Sequence, residues 1–116
     1  MDAHGLVVRD HPAPLPEGPA TTAEALTAGV RDHPDREALV HGDPLDGGEA
    51  LTYAELDARV TAAAGGLTAL GIRPGDRVAC SLPNRVALVE AFLATQRLGA
   101  VWLGINTNLT ADEVAW

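Results

Sequence analysis

The sequence contains no lysine. All eight of its basic residues are arginine, against 16 Asp and Glu, and the formal net charge of the 116 residues is -8. A Schiff-base lysine and a P-loop lysine are therefore excluded within this chain. Such an acidic chain also lacks the basic surface that neutralises phosphates, so we expect no nucleic-acid partner.

Cysteines, aromatic residues and long apolar runs are also scarce. Cys80 is the only cysteine and cannot form an internal disulfide, and the first residues lack the basic and apolar segments of a signal peptide. No apolar run approaches the ~18 residues of a membrane-spanning helix. We therefore expect a cytoplasmic protein without a membrane span. Aromatic residues make up 3% of the chain, so small aliphatic side chains would have to build any core.

Two short apolar runs flank a helical pattern in the second half of the chain. Pro83-Asn84 ends the first run, and Gly99 separates the helical pattern from the second. Strands that are buried on both faces of a parallel sheet have this continuous apolar character. The pattern predicts an α/β fold with a β-α-β unit, in which parallel strands at 77–82 and 100–105 are bridged by a helix at 85–98.

Three Thr-x-x-Glu patterns have the spacing of a capping box, in which each side chain accepts a hydrogen bond from the other residue's backbone. They begin at Thr21, Thr52 and Thr110 and predict helices near 22–32 and 53–70 and another from about 111. Gly71 is placed to be the C′ residue of the second helix. Within that helix, Glu55 and Arg59 predict an i,i+4 ion pair, and Gly65-Gly66 indicates close packing against a neighbour or a kink.

The first half of the chain predicts two further features. Residues 1–20 contain four of the eight prolines and predict an irregular leader ahead of a domain at 21–116. The segment 37–53 has two short apolar runs around a turn rich in Gly and Asp, which predicts a small hairpin.

Few residues have the spacing of a metal site. His4 and His11 have no companions at ligand spacing, so we interpret them as solvated. Asp43, Asp46 and Glu49 do not follow the register of an EF-hand loop, and a solvated turn is favoured over a calcium site. The sequence predicts no metal ligand.

Three other residues invite a functional interpretation, and each has a simpler structural one. Cys80 lies within a predicted strand, which favours a buried, inert thiol over a nucleophile. Asn84 follows that strand and is suited to be the N-cap of the next helix. Trp102 lies within the second strand and is most simply part of the core. We therefore predict no catalytic and no cofactor-binding residue.

Several segments, taken in order, resemble the N-terminal part of the adenylate-forming (AMP-binding) superfamily, most like an acyl-CoA synthetase. They are LTYAELDARV at 51–60, LGIRPGDRVACSLPN at 70–84 and AFLATQRLGAVWLGINTNLTADEVAW at 91–116. The resemblance covers roughly residues 22–116. It implies the N-terminal portion of such an enzyme's large domain, and hence an incomplete domain and a truncated ligase of fatty acid metabolism.

Members of this superfamily convert a carboxylate and ATP to an acyl-adenylate and pyrophosphate, and usually pass the acyl group to a thiol such as coenzyme A. The resemblance thus implies ATP, Mg, coenzyme A and a small carboxylate for the full-length family. The family's lysine-ended phosphate loop, its nucleotide-contacting motifs and its C-terminal catalytic lysine lie beyond the matching region. We therefore expect this chain to be scaffold only, with no cofactor of its own, and inactive alone.

Two other hypotheses remain open. The chain could be a short, non-catalytic protein that uses the same scaffold to bind a partner. It could also be an independent small α/β ligand-binding domain, although a single β-α-β unit argues against this. In each case open sheet edges invite association, so we expect self-association through exposed apolar surface.

Overall fold

A computed structural model describes residues 17–115 as a mixed α/β fold, and the predicted fold class is confirmed. Most of the predicted leader at 1–20, with His4 and His11, lies outside the described residues. The elements, in order, are α1 (Thr22–Asp32), β1 (Glu37–His41), a 3-10 turn (Pro44–Asp46), β2 (Glu49–Thr52), α2 (Tyr53–Ala69), β3 (Arg77–Cys80), α3 (Val86–Arg97), β4 (Val101–Gly104) and α4 (Ala111–Ala115).

The strands form two separate pairs. Strands β1 and β2 are an antiparallel hairpin with Val40 opposite Ala50. Strands β3 and β4 are parallel, in a register that runs from Arg77 opposite Val101 to Cys80 opposite Gly104, and α3 connects them. The predicted hairpin and β-α-β unit are confirmed, although β3 and β4 are shorter than the predicted runs.

Each of the three predicted capping threonines caps its helix. Thr52 Oγ1 accepts the Glu55 N–H at 3.2 Å while the Glu55 carboxylate accepts the Thr52 N–H at 2.8 Å. Thr110 and Glu113 form the same reciprocal pair at α4. At α1 the box is one-sided, because the Glu24 carboxylate accepts the N–H of Ala20 instead of that of the capping threonine.

Glycines in the left-handed conformation end α2 and α3. Gly71 has φ 92° and Gly99 has φ 69°, which an L side chain adopts only with strain. After α2, the Gly71 N–H donates to Thr68 O and the Ile72 N–H donates to Leu67 O. This is a Schellman motif, so the predicted C′ role of Gly71 is confirmed.

Helix α2 lies at the centre of the core. Val60 on α2 and Ala94 on α3 are completely buried, and they belong to one apolar cluster that includes Leu26 of α1 and Leu51 of β2. The core therefore joins α1, the hairpin, α2 and α3. The parallel strand pair lies on another side of α3, outside this cluster.

Within residues 17–115, β3 and β4 are covered on one face only, although their apolar character is typical of strands buried on both faces. Side chains alternate along both strands: Val78, Cys80 and Trp102 are half-buried, whereas Val101 and Leu103 are each 50% exposed. The cause is that α3 covers only one face of the pair. Within residues 17–115 no element covers the other face, which we call the outer face.

Two charged residues of α3, Glu90 and Arg97, do not lie on a solvent-facing side of the helix. The side chains of Glu90 and Arg97 are only 21% and 25% exposed, because α2 packs against this part of the helix. Arg59 of α2 pairs with Glu90 and with Glu49. The predicted pair between Arg59 and Glu55 is therefore wrong, since the Glu55 carboxylate is engaged in the capping box.

The interpretation of Gly65-Gly66 as a close helix contact is also wrong. Both residues are exposed, α2 continues through them, and a Cβ added at either position would meet nothing within 4 Å. The close contact occurs instead at Gly29 of α1, where an added Cβ would lie 2.5 Å from Cε1 of the Tyr53 ring. The structure gives no physical reason for glycine at 65 and 66.

Candidate functional site

The main cleft lies at the carboxyl ends of β3 and β4, and its volume is about 650 Å³. Ligands of open parallel sheets bind at this end of the strands, and the volume falls within the usual range for small-molecule sites, about 300–1,000 Å³. The residues that line it are Cys80, Leu82, Pro83, Asn84, Leu88, Val89, Phe92, Trp102, Gly104, Ile105, Asn106 and Thr107.

One wall of the cleft is apolar and comes from α3 and β4. Leu88, Val89 and Phe92 of α3 line this wall. The Phe92 and Trp102 rings pack edge to face, with centroids 5.6 Å apart and an interplanar angle of 86°. This geometry is favourable for aromatic pairs. Trp102 is therefore a half-buried wall residue, whereas the sequence predicted a core residue.

Neutral polar groups complete the lining, namely the amides of Asn84 and Asn106 and the hydroxyl of Thr107. Asn106 Oδ1 accepts the Asn108 N–H at 2.9 Å, which fixes the turn after β4. Among the described residues that line the cleft, none is charged. A magnesium–triphosphate group requires cations or carboxylates, so this cleft does not fit ATP-Mg. It fits an apolar or neutral polar group.

The structure changes the interpretation of two sequence candidates. Cys80 is the last residue of β3 and not a mid-strand residue, and its thiol is half-buried at the cleft. Asn84 is not the N-cap of α3. Arg85 occupies that position, with φ -138° and ψ 166°, and makes no side-chain cap hydrogen bond. Asn84 lies on the cleft one residue earlier.

Charged side chains are concentrated on the helices and the hairpin, away from this cleft. Arg59 Nη2 lies 3.0 Å from Glu49 Oε2, and Arg59 Nη1 lies 3.3 Å from Glu90 Oε1. Hydrogen bonds to these two carboxylates raise the pKa of Arg59 above its ordinary value. Arg97 donates to Asp57 at 2.6 Å and to Thr61 at 2.9 Å. Both arginines connect neighbouring elements, which is a structural role.

The acidic turn between β1 and β2 has structural contacts of its own. Asp43 Oδ1 accepts the Leu45 N–H at 2.9 Å and caps the 3-10 turn, Asp46 is exposed, and Glu49 pairs with Arg59. In the described part of the chain, no three His, Cys, Asp or Glu side chains are grouped as a metal site requires. Within residues 17–115, no helix is both long and apolar enough to cross a membrane.

Residues 26–116 match the family described as "AMP-binding enzyme". The chain belongs to this family. Among curated AMP-binding relatives, a feruloyl-CoA synthase from an Amycolatopsis species is 50% identical over 85 residues, which are 73% of this chain and 16% of that protein. A long-chain-fatty-acid–CoA ligase from Mycobacterium tuberculosis is 47% identical over 66 residues, 57% of this chain and 13% of that protein. The chain thus spans about a sixth of the feruloyl-CoA synthase.

Solved structures of the family have the same fold. A putative long-chain-fatty-acid CoA ligase from Rhodopseudomonas palustris superposes with a TM-score of 0.73 at 35% identity, over 82% of this chain and 23% of that one. A fatty acyl CoA synthetase from Mycobacterium tuberculosis gives 0.74 at 37%, over 81% and 18%. The N-terminal subdomain of NpsA from Klebsiella oxytoca gives 0.73 at 25%, over 82% and 24%. The predicted resemblance to the N-terminal part of adenylate-forming enzymes is confirmed.

Sequence reasoning missed the part of the cleft that follows β4. Ile105, Asn106 and Thr107 line it, but no motif marked them. Their position was the available signal: they follow the second strand of a predicted parallel pair, and the carboxyl ends of such strands meet at one edge of the sheet.

Proposed function

We propose that this chain is the N-terminal scaffold of an ATP-dependent acid–CoA ligase that acts through an acyl-adenylate. On this proposal the chain alone does not adenylate a carboxylate. ATP, Mg and coenzyme A are cofactors and partners of the full-length family, as is a small carboxylate substrate. A cytoplasmic location stays a prediction.

The observation that carries the proposal is the match itself. Residues 26–116 belong to the AMP-binding family, and the relatives with the same segment include feruloyl-CoA synthase and long-chain-fatty-acid–CoA ligase. Half of the aligned residues are identical to the feruloyl-CoA synthase, so an aromatic acid such as ferulic acid is the first substrate to test.

The electrostatics of the chain support the scaffold role. Phosphoryl and adenylyl chemistry depends on preorganised cations and donors that stabilise the negative charge. The chain has no lysine, and the lining of its main cleft is neutral. Arg59 and Arg97 are engaged with carboxylates in the fold. The chemistry therefore has to come from the rest of a full-length family protein.

The test is a chimaera in which residues 26–116 replace the matching segment of the Amycolatopsis feruloyl-CoA synthase. We expect the chimaera to form feruloyl-CoA from ferulate, ATP and coenzyme A. A matched pair of variants checks that the grafted fold is responsible: Val60→Asp places a carboxylate at a completely buried position, whereas Ala62→Asp is the same change at an exposed position on the same helix.

The scaffold role predicts an active Ala62→Asp chimaera and an inactive Val60→Asp chimaera. A soluble, folded chimaera without activity would contradict the proposed equivalence of the two segments. The chain alone is tested by carboxylate-dependent ATP–pyrophosphate exchange with ferulate and a panel of fatty and amino acids. We expect no exchange above a blank preparation, and clear exchange would overturn the claim that the chain is inactive alone.

The second candidate is a short, non-catalytic protein that binds a partner through the same scaffold. Within residues 17–115, Val101 and Leu103 on the outer face are each 50% exposed, and on this candidate the partner would cover them. The chimaera separates the candidates. A protein adapted to a separate partner would not restore synthesis of feruloyl-CoA.

A further inference from the structure

The apolar core is built from α1, the hairpin, α2 and α3. All the buried residues of this cluster come from these elements, and Val60 of α2 and Ala94 of α3 are completely buried. Thr95 is also completely buried, and its hydroxyl donates to Ala91 O at 2.8 Å. Among residues 17–115, every buried side-chain nitrogen or oxygen has a hydrogen-bond partner. The interior of this part therefore leaves no side-chain polar group that needs a partner from another segment.

Polar contacts join the same elements across long stretches of sequence. Arg59 of α2 pairs with Glu49, 10 residues away in the hairpin, and with Glu90, 31 residues away in α3. Arg97 of α3 donates to Asp57 of α2, which is 40 residues away. Contacts over such separations form together with the tertiary fold and not within single helices. The hairpin, α2 and α3 therefore hold each other as one unit.

The parallel pair of β3 and β4 is attached to this unit through α3 and contributes no residue to its buried cluster. Trp102 of β4 packs against Phe92 of α3, so α3 covers one face of the pair. Parallel strands are typically covered on both faces, and segment 98–111 contains no charged residue in a chain whose net charge is -8. In the solved relatives, the same fold is part of a longer chain and makes up 18% of one and 24% of another.

We propose that this chain is a separately folding module of the ligase, and that the rest of the ligase can dock on it without a covalent link. This inference rests on the function proposed above and adds that the two parts assemble as separate polypeptides. The partner is an AMP-binding ligase that lacks the segment matching residues 26–116. The contact surface is the outer face of β3 and β4, where Val101 and Leu103 are each 50% exposed in the free module.

Docking at the outer face is compatible with a module that is folded beforehand. This face belongs to the strand pair and not to the apolar cluster of α1, the hairpin, α2 and α3, so the partner binds without opening the core. A surface that is already ordered avoids the entropy cost of folding on binding. The neutral segment 98–111 also avoids the cost of removing charges from water. Apolar contact at this face therefore favours the assembled ligase.

The first test asks whether the chain folds without the rest of a ligase. Urea unfolding of the purified 116-residue chain, followed by circular dichroism, should give one cooperative transition. Hydrogen exchange should be slowest at the backbone amides of α2 and α3 near Val60 and Ala94, because both residues are completely buried. Gradual unfolding without a transition, or equally fast exchange in all elements, would overturn the proposal.

The second test co-expresses the chain with the Amycolatopsis feruloyl-CoA synthase from which the matching segment has been deleted. We expect the two polypeptides together, and neither one alone, to form feruloyl-CoA from ferulate, ATP and coenzyme A. The covalent chimaera described above is the reference. An active chimaera beside inactive separate polypeptides would overturn this inference and leave the proposed function standing. A folded but inactive chimaera would overturn both.

A matched pair of variants tests the contact surface. Leu103→Asp places a charge on the outer face, so the amount of deleted synthase that co-purifies with the tagged chain should fall by about tenfold or more. Leu45→Asp is the same change in the 3-10 turn, where Leu45 is 97% exposed, and it should leave the co-purified amount unchanged. Equal losses in the two variants, with unchanged circular dichroism, would overturn the assignment of the outer face.

Discussion

Gly29→Ala and Gly65→Ala are the same substitution in opposite surroundings. A Cβ at position 29 would lie 2.5 Å and 2.6 Å from two carbons of the Tyr53 ring, whereas a Cβ at position 65 would meet nothing within 4 Å. Both glycines are within helices, so alanine offers each about 0.5–1 kcal/mol of helix stability. Only position 29 has an opposing packing cost.

The size of that cost follows from the geometry at Tyr53. Non-bonded carbons prefer a separation of about 3.5–4.0 Å, so the ring would have to retreat by about 1 Å. Its backbone holds it in place, since the Tyr53 N–H donates to Arg36 O at 3.0 Å. Overpacking of this kind costs about 1–3 kcal/mol. Gly29→Ala should therefore destabilise the fold by up to about 2 kcal/mol, and Gly65→Ala should stabilise it by about 0.5–1 kcal/mol.

Urea unfolding followed by circular dichroism measures both effects, provided that the variants share one m-value. A double-mutant cycle isolates the packing effect. In a Tyr53→Leu background the ring is absent, and Gly29→Ala should then change the free energy of unfolding in the same direction as Gly65→Ala. The reasoning fails if the two substitutions have equal effects in the wild-type background, or if the loss of the ring leaves the effect of Gly29→Ala unchanged.

Two further substitutions test polar contacts by the same unfolding assay. Arg97→Met should lower the free energy of unfolding by about 1 kcal/mol, because the half-buried guanidinium donates to Asp57 at 2.6 Å. Arg31→Met removes an exposed ion pair and should leave the free energy of unfolding unchanged. Equal losses in the two variants would contradict this reasoning. Arg85→Ser should stabilise α3 by about 1 kcal/mol, because the N-cap Arg85 makes no side-chain hydrogen bond to the helix. If Asn84→Ser gave the gain in stability instead, Asn84 and not Arg85 would be the N-cap.

The parts of the fold that the sequence predicted well depend on local chemistry. A Thr-x-x-Glu pattern holds both partners of a capping box within four residues. In all three patterns the threonine hydroxyl oxygen accepts the N–H of the glutamate three residues later. A glycine after a helical pattern supplies the left-handed residue that ends it, as at Gly71 and Gly99. The parallel pairing of β3 and β4 could be predicted because a connecting helix carries the chain from the carboxyl end of the first strand back to the end where that strand began. The second strand can then run in the same direction.

Several of the differences concern which element covers which face. Periodicity groups residues that share a side of a helix or strand, but it does not say what packs against that side. Glu90 and Arg97 have the polarity of exposed residues, yet α2 covers them and supplies their ionic partners. The apolar runs of β3 and β4 are typical of strands with two covered faces, whereas within residues 17–115 the outer face of the pair is half-exposed at Val101 and Leu103.

The candidate site has one feature that the sequence could predict and one that it could not. Its location could be predicted from topology, because the carboxyl ends of two parallel strands meet at one edge. The place of Asn84 in its lining could not, because it depends on which residue begins the helix. Asn84 would have a structural role as the N-cap of α3, but Arg85 takes that position, and Asn84 lies on the cleft with Asn106. Asparagine suits both places, since its amide can cap a helix or bind a neutral ligand. The local sequence is the same in both arrangements and therefore does not distinguish them.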